Sequence, residues 1–332
     1  MAAPVWSTGR PDTSTSDTHR YRTLASVEIA FRDAMHAAGL VTDAEIVADG
    51  VLHRFHGEGD KHGTRNGWYV LHFDGVPAGA FGHWRTGACS TWRADVGRTL
   101  TRAELAAHRK RMTAARALRD AEHAREQLAC RQRAATLWRA AGGARGDHPY
   151  LRRKDVGTHA LRQRGDLLIV PVTDVAGTLH GLQFIAPDGG KRFLTATAKA
   201  GCFYLLGSPP QAAGEVLAIA EGYATAATIH AAAGWSVACA FDAGNLEPVA
   251  RAVVKVHPTA RFVICADNDT ETPGNPGLCK ARRAAAAVSG VIVYPNFNDG
   301  DTGTDWNDYA ASYGIAAARE ALLSALEVRR VA

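Results

Sequence analysis

The stretch VLAIAEGYATAATIH, Val216 to His230, places a carboxylate directly after five consecutive apolar residues. A buried strand normally avoids ending on a charge, because removing an unpaired carboxylate from water is costly. The carboxylate belongs to Glu221. Gly222 follows it, and a segment of helical composition starts at Tyr223. Glu221 is therefore either the solvated end of a strand or a group placed there for chemistry.

From Gly214 onward the sequence alternates between strand-like and helix-like segments, in the order VLAIAEG, YATAATIHAAAG, WSVACAF, LEPVARAVVKVHP, RFVICAD, LCKARRAAAAVSG and VIVYPNF. This alternation predicts an α/β fold in which helices cover both faces of a parallel sheet. Such sheets bind ligands at the carboxyl ends of their strands. Glu221, Asp267 and Asp269 all follow predicted strands at that edge.

Several carboxylates at one edge of a sheet repel each other unless a cation lies among them. Asp267 and Asp269 alternate along an extended strand end, so both can point to the same side. Carboxylate oxygens suit Mg²⁺ or Mn²⁺. Farther along, GTDWNDYA contributes Asp305. Taken singly, an aspartate in such a loop is more often a cap or turn residue, but the set together predicts a divalent-metal site.

The remaining sequence divides into segments of different character. The N-terminus is rich in Ser, Thr, Asp and Pro, which predicts a disordered tail. Three further segments lie between this tail and the alternating region. The predicted division is a tail at 1–22, a small α/β module at 23–97, a basic helical segment at 98–141, an α/β subdomain at 142–213 and the C-terminal domain at 214–332.

The basic helical segment carries most of the positive charge of the chain. Residues 98–139 contain eleven Lys and Arg against four Asp and Glu, an excess of +7, whereas the whole chain has a formal net charge of +5. Thr101 and Glu104 form a predicted capping box at its start. The segment is either a solvated helix face or a surface that follows a phosphate backbone. Its predicted DNA contacts are Arg109, Lys110 and Arg111.

Further cationic and polar candidates lie in the second half of the chain. HPYLRRKDV contains three adjacent cations, and GGKRFL contains two after a glycine turn that is either solvated or phosphate-binding. FDAGN ends a predicted strand at the active edge. The predicted template contacts here are Arg152, Arg153 and Lys154. The predicted nucleotide contacts are Lys191, Arg192, Asp242 and Asn245.

The six cysteines show no CxxC spacing, so we expect no zinc site. Cys239 and Cys265 lie in apolar strand-like runs, which favours buried, reduced thiols in a cytoplasmic protein. No run of about 18 apolar residues is present in the sequence, so we expect no membrane-spanning segment.

The runs AEGYATAATIH, ADND and TDWNDYA together resemble the Toprim domain of DNA primases. The resemblance is greatest to primases of conjugative plasmids, integrative elements and satellite phages, in which E-G-Y-A-T-A is characteristic. It covers residues of about 214–310. Upstream, KRFLTATAKAGCFYLLG is similar to the entry to the polymerase core of bacterial primases. GDKHGTRNGWYVLHFDGVPAGAFGHWRTG is similar to N-terminal modules of plasmid and phage primases.

The resemblance implies a role for each acidic residue. Glu221 takes the place of the acid/base glutamate, Asp267 and Asp269 that of the metal-binding pair, and Asp305 is a further acidic contributor. The implied activity is the Mg²⁺- or Mn²⁺-dependent synthesis of short RNA primers from NTPs on single-stranded DNA. The chain lacks the G-x-x-x-x-G-K-[ST] motif of ATP-driven helicases, so we expect a separate replicative helicase as a partner.

Two other functions are compatible with the same residues. A Toprim nuclease or topoisomerase-like enzyme uses a similar acidic edge to break phosphodiesters, although a covalent intermediate needs a tyrosine from a further domain. An inactive protein that coats single-stranded DNA is the second alternative. The complete acidic set favours an enzyme.

Overall fold

The computed structural model describes residues 23–270, 272, 274–298 and 300–328, and the predicted N-terminal tail lies outside this range. The chain forms two compact units, which divide between Ala124 and Arg125. Because that boundary falls inside a long helix, it matches none of the predicted segment boundaries, and the predicted division into segments stays a prediction.

The N-terminal unit contains a four-stranded antiparallel sheet and helix α1 (Leu24–Ala37). Val27, Phe31 and Met35 of α1 are fully buried and pack against Tyr69 and Phe81 of the sheet. The residues of the fourth strand are mostly exposed and lack the alternation of a half-buried strand, so the sequence gives no local signal for it. The strands, in sheet order, are β1 (His53–Phe55), β2 (Gly67–His72), β3 (Ala78–His83) and β4 (Cys89–Arg93).

The basic segment, for which the sequence allows one long helix or a helix pair, is the single 39-residue helix α2 (Arg102–Ala140). The predicted capping box is confirmed. The Glu104 backbone N–H donates to Thr101 Oγ1 over 3.2 Å, and the Thr101 N–H donates to Glu104 Oε2 over 2.8 Å. Two backbone donors that the helix itself leaves unpaired are thereby satisfied.

The second unit begins with an antiparallel five-stranded sheet and the short cationic helix α3 (Pro149–Lys154). Two strands of this sheet, of seven residues each, are apolar and largely buried. The other three strands have only two or three residues each and are too short to give a periodic signal in the sequence. The strands, in sheet order, are β5 (Gly142–Gly143), β6 (Arg162–Arg164), β7 (Leu167–Thr173), β8 (Leu179–Ile185) and β9 (Lys191–Phe193).

The C-terminal sheet has the order β10–β12–β11–β13–β14. The last four strands in chain order are mutually parallel, which confirms the predicted α/β fold. The edge strand β10 is antiparallel to β12 and was not predicted. The strands are β10 (Tyr204–Leu206), β11 (Val216–Ala220), β12 (Ser236–Cys239), β13 (Arg261–Cys265) and β14 (Val291–Val293).

Helices cover both faces of this sheet. Residues of α4 and α8 belong to the hydrophobic core on one face, and residues of α5 and α6 to the core on the other. The strands between them are almost wholly buried, which explains their continuous apolar sequences. The helices are α4 (Tyr223–Ala233), α5 (Leu246–Val256), α6 (Pro276–Ala287), α7 (Trp306–Tyr313) and α8 (Ile315–Val328).

All six cysteines are free, and Cys239 and Cys265 are buried in the sheet as predicted. Within the described part of the chain, no helix combines the length and the apolar character that crossing a bilayer requires.

Candidate active site

Two neighbouring parallel strands bring the predicted acidic residues to one edge of the sheet. Ala220, the last residue of β11, pairs with Cys265, the last residue of β13. Glu221 directly follows the first strand, and Asp267 comes two residues after the second. The carboxyl ends of these strands therefore present both side chains at the same edge, as the sequence predicts.

A polar cavity of about 330 Å³ opens at this edge. Glu221, Asp267 and Asp305 contribute carboxylates to its wall, and Lys191, Arg153 and Lys154 contribute cations. Opposite charges thus line one cavity, an arrangement suited to a ligand that carries phosphates and a divalent cation. Its other lining residues are Tyr150, Asp188, Gly189, Gly222, Ala224, Thr225 and Phe241.

Asp267 is the most perturbed carboxyl group of the cavity. Burial raises its pKa to about 8, and the negative charges of Glu221 and Asp305 act in the same direction. The positive charge of Lys191 opposes the rise. Asp267 Oδ1 is buried and accepts no hydrogen bond in the described structure. A buried carboxylate oxygen without a partner is costly, so this atom is suited to binding a cation.

Glu221 shares the same electrostatic environment. Burial raises its pKa, and the nearby charge of Asp242 adds to the rise. A hydrogen bond from the Ala243 backbone N–H and the charges of Lys191 and Lys280 act in the opposite direction. A raised pKa makes a carboxylate a stronger base, so Glu221 is suited to accepting a proton.

The structure does not bring Asp269 to the cavity, although the alternation of ADND predicts that it lies beside Asp267. Its carboxylate instead accepts hydrogen bonds from the backbone N–H and the hydroxyl of Thr272, the former over 3.2 Å. These local bonds hold the side chain in its own loop, as is common for aspartates in turns. Its role as a metal ligand stays a prediction.

Asp305 lines the cavity but also caps helix α7. Its Oδ1 accepts from the backbone N–H groups of Asn307 and Asp308, over 2.7 and 2.9 Å. Its Oδ2 accepts from the Thr225 hydroxyl over 3.0 Å. Both oxygens are thus engaged, and the residue supplies negative charge to the cavity while it fixes the start of α7 against α4.

Only some of the predicted cations reach the cavity. Lys191 lies against the backbone of Gly222, since a Cβ atom there would be 3.5 Å from the lysine Nζ. Arg153 donates to the Pro187 carbonyl over 2.9 Å, and Lys154 pairs with Asp308 Oδ1 over 3.1 Å. The predicted contacts Arg152 and Arg192 do not line the cavity, and the Arg192 guanidinium lies 5.5 Å from the Phe184 ring.

The other two predicted nucleotide contacts have structural partners. Asp242 pairs with Lys199 over 2.7 Å and accepts from the Asn245 backbone N–H over 3.1 Å. Asn245 is 4% exposed, so its side chain is not available to a nucleotide. Its Nδ2 donates to the carbonyls of Cys202 and Ala240, and its Oδ1 accepts from the Gly201 N–H. The side chain joins backbone segments in the core of this structure, and the nucleotide role of Asn245 stays a prediction.

We expect Asn245→Ala to lower the free energy of unfolding by about 3 kcal/mol, because it leaves three backbone groups without their partner. Chemical unfolding followed by far-UV circular dichroism measures this loss. Gln132→Ala, at an exposed position of α2, is the control and should change stability by less than about 0.5 kcal/mol. A loss for Asn245→Ala as small as that of the control would contradict the structural role.

The donors of the cavity fit a divalent cation in chemical type. Glu221 and Asp267 supply hard carboxylate oxygens, and the unpartnered Asp267 Oδ1 is free to coordinate. Among the residues that the structure describes, no three His, Cys, Asp or Glu side chains form a group that could by itself hold a metal ion. An ion bound by two of these carboxylates would therefore complete its coordination with water or substrate oxygens, as Mg²⁺ commonly does.

Sequence comparison identifies the domain that carries this cavity. Residues 216–316 match the Toprim domain family. The chain contains a Toprim domain. The match spans the parallel strands β11–β14 and helix α7, and so it includes Glu221, Asp267 and Asp305. The predicted Toprim fold at the C-terminal end is confirmed.

Two proteins of Escherichia coli, both named DNA primase TraC, are similar to most of the chain. One is 38% identical over 285 residues, covering 82% of this chain and 27% of the relative. The other is 36% identical over 280 residues, covering 80% of this chain and 19% of the relative. The predicted resemblance to Toprim-type plasmid primases is confirmed. The chain spans only about a quarter or less of the length of these relatives.

Solved primase structures resemble the chain more distantly. The primase fragment of the bacteriophage T7 primase-helicase is 13% identical, covers 52% of this chain and 73% of its own, and has a TM-score of 0.41. The structure of the Aquifex aeolicus primase comprises zinc-binding and RNA polymerase domains. It is 10% identical to this chain, the match covers 93% of this chain and 86% of that structure, and the TM-score is 0.40. TM-scores this low do not establish a shared fold over the whole chain.

Sequence reasoning missed two residues at this edge of the sheet. Thr225 binds Asp305, and Lys199 pairs with Asp242 at the neighbouring strand end. Thr225 has a detectable signal, because it lies four residues after Glu221 in the first turn of α4. Lys199 has no local signal, since its partner is 43 residues away in the sequence.

Proposed function

We propose that this chain is a DNA primase that synthesises short RNA primers from NTPs on single-stranded DNA. The observation that carries the proposal is the cavity of the Toprim domain, where Glu221 and Asp267 face Lys191 and Arg153. Acidic groups suited to a divalent cation and cations suited to phosphate are both needed for nucleotidyl transfer. The names of the TraC relatives support the same function.

Four residues of the cavity have a proposed role in this reaction. Lys191 and Arg153 bind phosphate oxygens of the nucleotide or strand. Glu221 accepts the proton of the attacking 3′-hydroxyl, for which its raised pKa is suited. Glu221 and Asp267 are the proposed ligands of Mg²⁺ or Mn²⁺. When bound, the cation neutralises the triphosphate and stabilises the charge that develops on the α-phosphate.

The assay for this function combines the purified chain with labelled NTPs, MgCl₂ or MnCl₂, and single-stranded DNA of random sequence. Primase activity predicts oligoribonucleotides that require both the template and the divalent cation. Shortened DNA without RNA synthesis would support the nuclease alternative. DNA binding without either product would support the inactive single-strand-binding alternative. Sequencing of the products would also reveal any preferred start site.

The exposed cations of α2 have a separate, measurable role if they contact the strand. Arg109 and Lys110 are exposed, whereas Arg111 contacts the carbonyl and carboxylate of Asp74, its guanidinium 3.4 Å from Asp74 Oδ1. We therefore expect Arg109→Gln/Lys110→Gln to reduce the slope of log affinity for single-stranded DNA against log salt by about 1.4, or about 0.7 for each phosphate that is no longer neutralised.

A control variant removes the same amount of charge elsewhere. Lys255→Gln/Arg282→Gln changes two exposed cations on α5 and α6, and we expect it to leave the slope unchanged. Fluorescence anisotropy over a range of salt concentrations measures both variants. Equal slopes for the wild type and the α2 variant would contradict a contact between α2 and the strand, and α2 would then be a solvated connecting helix.

The expected partners follow from the same function. We propose that a replicative helicase supplies duplex unwinding, an activity that relies on a G-x-x-x-x-G-K-[ST] motif not found among these 332 residues. The cytoplasm, where template and NTPs are available and thiols stay reduced, is the proposed location.

A further inference from the structure

Side chains of the Toprim domain hold the segment that follows the cationic helix α3. The Tyr223 hydroxyl donates to the Gly157 carbonyl over 2.7 Å. Asn307 Nδ2 donates to the Lys154 carbonyl over 2.7 Å and to Thr228 Oγ1 over 2.9 Å. We call this set, Tyr223, Thr228 and Asn307 with residues 154–157, the α3 latch. It joins α3 to helices α4 and α7 across at least 66 positions of sequence.

The latch is buried on its Toprim side. Tyr223, Thr228 and Asn307 are 0%, 4% and 5% exposed, respectively. Buried polar groups of this kind are costly to leave unpaired, so their hydrogen bonds fix the position of the backbone that they contact.

The segment after α3 does not take its path by local preference. Asp155, His159 and Ala160 have φ values of 49°, 38° and 63°, in the left-handed region that residues with a Cβ atom normally avoid. Such conformations persist where surrounding contacts over-determine them. The latch supplies two of these contacts, and the Tyr204 hydroxyl, which donates to the His159 carbonyl, supplies another.

The latched segment places two cations beside the acidic cavity. Arg153 and Lys154 line that cavity and also a neighbouring cavity of about 470 Å³ between the latched segment and helices α4 and α7. The two cavities therefore meet at these cations. A single strand that passes from one to the other would bring its phosphates within reach of both side chains.

We propose that Tyr223 and Asn307 are positioning residues that act through segment 154–157 to hold Arg153 and Lys154 on the path of single-stranded DNA. This inference rests on the proposed function. It assigns a task to the tyrosine of the E-G-Y-A-T-A run and to the asparagine of TDWNDYA, neither of which contributes a carboxylate. Neither residue contacts the reacting atoms in this role.

The test is Tyr223→Phe, which removes one hydroxyl and keeps the buried ring. We expect the affinity for single-stranded DNA to fall about three- to ten-fold, the range of an ordinary coupling between contacting groups. In primer synthesis the KM for DNA should rise by the same factor while kcat changes less than about two-fold, since binding and not chemistry is affected.

Tyr69→Phe is the matched control. Tyr69 is also buried at 1% exposure, and its hydroxyl bonds to the Glu45 carbonyl and the Val47 N–H in the N-terminal unit. It loses the same kind of group as Tyr223→Phe, so thermal unfolding should show a similar loss of stability. Its DNA affinity should stay at the wild-type value.

A double-mutant cycle shows whether Tyr223 acts through the cations. In an Arg153→Gln/Lys154→Gln background, Tyr223→Phe should cause no further loss of DNA affinity. An equal loss in both backgrounds, a loss no greater than that of Tyr69→Phe, or a fall in kcat at constant KM would each overturn the proposal. If Tyr223→Phe does not fold, Thr228→Val takes its place, since it removes the acceptor that holds the Asn307 amide. Its DNA affinity, KM and kcat are then judged by the same criteria.

DNA affinity is measured without catalysis, so this test is independent of the proposed activity. A wild type that binds single-stranded DNA but makes no primers would contradict the proposed primase function and leave the latch testable. A wild type that makes primers while Tyr223→Phe binds and reacts normally would contradict the latch alone.

Discussion

The Glu221→Gln variant is expected to make primers at least about 100-fold more slowly than the wild type, the usual contribution of a positioned acid/base group. Glutamine preserves the size of the side chain, but it cannot accept the proton of a hydroxyl and carries no charge for a divalent cation. The effect should be in kcat, since the carboxylate acts on the reacting groups. Primer yield against time at saturating NTP and template measures the effect.

Glu247→Gln is the control for this substitution. Glu247 lies on α5 of the same domain and pairs with Arg251 and Arg283, away from the residues that line the cavity. The rate of primer synthesis by Glu247→Gln should equal that of the wild type. Because ionised Glu221 is disfavoured by burial, we also expect Glu221→Gln to unfold at the wild-type temperature or above. A wild-type rate for Glu221→Gln would remove Glu221 from the mechanism.

The Asp267→Asn variant is expected to be inactive and yet more stable than the wild type in the absence of divalent cations. Burial and neighbouring charges raise the pKa of Asp267 from its ordinary 3.8 to about 8 in the folded protein. The folded state therefore holds the proton more tightly than the unfolded state does. Ionisation of this group accordingly favours unfolding.

The sign of the pH dependence follows from these two pKa values. As the pH rises above about 4, the unfolded chain loses this proton while the folded chain keeps it, so stability falls until the pH reaches about 8. An amide at this position does not ionise and carries no such penalty. The free energy of unfolding of Asp267→Asn should therefore exceed that of the wild type by about 2 kcal/mol near pH 8, allowing for water in the cavity. Near pH 4 the difference between the two proteins should be small.

Thermal unfolding at several pH values, with and without Mg²⁺, measures this prediction. Mg²⁺ should raise the unfolding temperature of the wild type by binding the folded state, and should have little effect on Asp267→Asn. Wild-type affinity for Mg²⁺ should fall as the pH drops below about 8, since the cation must displace the proton of Asp267. A variant that is less stable than the wild type near pH 8 would contradict this account.

Local patterns in the sequence were sufficient to predict much of the fold. The parallel strands β11, β12, β13 and β14 are short apolar runs that alternate with helices, and this pattern arises only when both faces of a sheet are covered. The capping box of Thr101 and Glu104 is equally local. The strands that were not predicted, among them β4 and β10, are short or exposed, and pairing with a neighbour decides their conformation.

For the candidate site, the sequence predicts which residues end the strands but not what their side chains contact. Glu221 and Asp267 lie together because adjacent parallel strands end at the same edge. Asp269 follows the same pattern, and yet a bond to Thr272 keeps it in its own loop. Asn245 follows a strand at the active edge, but it is buried among backbone groups from distant segments.

The sequence by itself determined the parallel strands of the Toprim sheet, the helical character of the basic segment and the acidic residues at the strand ends, because periodicity, capping and strand termination depend on neighbours within a few positions. Only the tertiary structure decided which carboxylates share a cavity, which cations face them, and that Tyr223 and Asn307 hold the segment after α3. Those relations depend on hydrogen bonds and charges between residues far apart in the chain, where no local pattern records the partner.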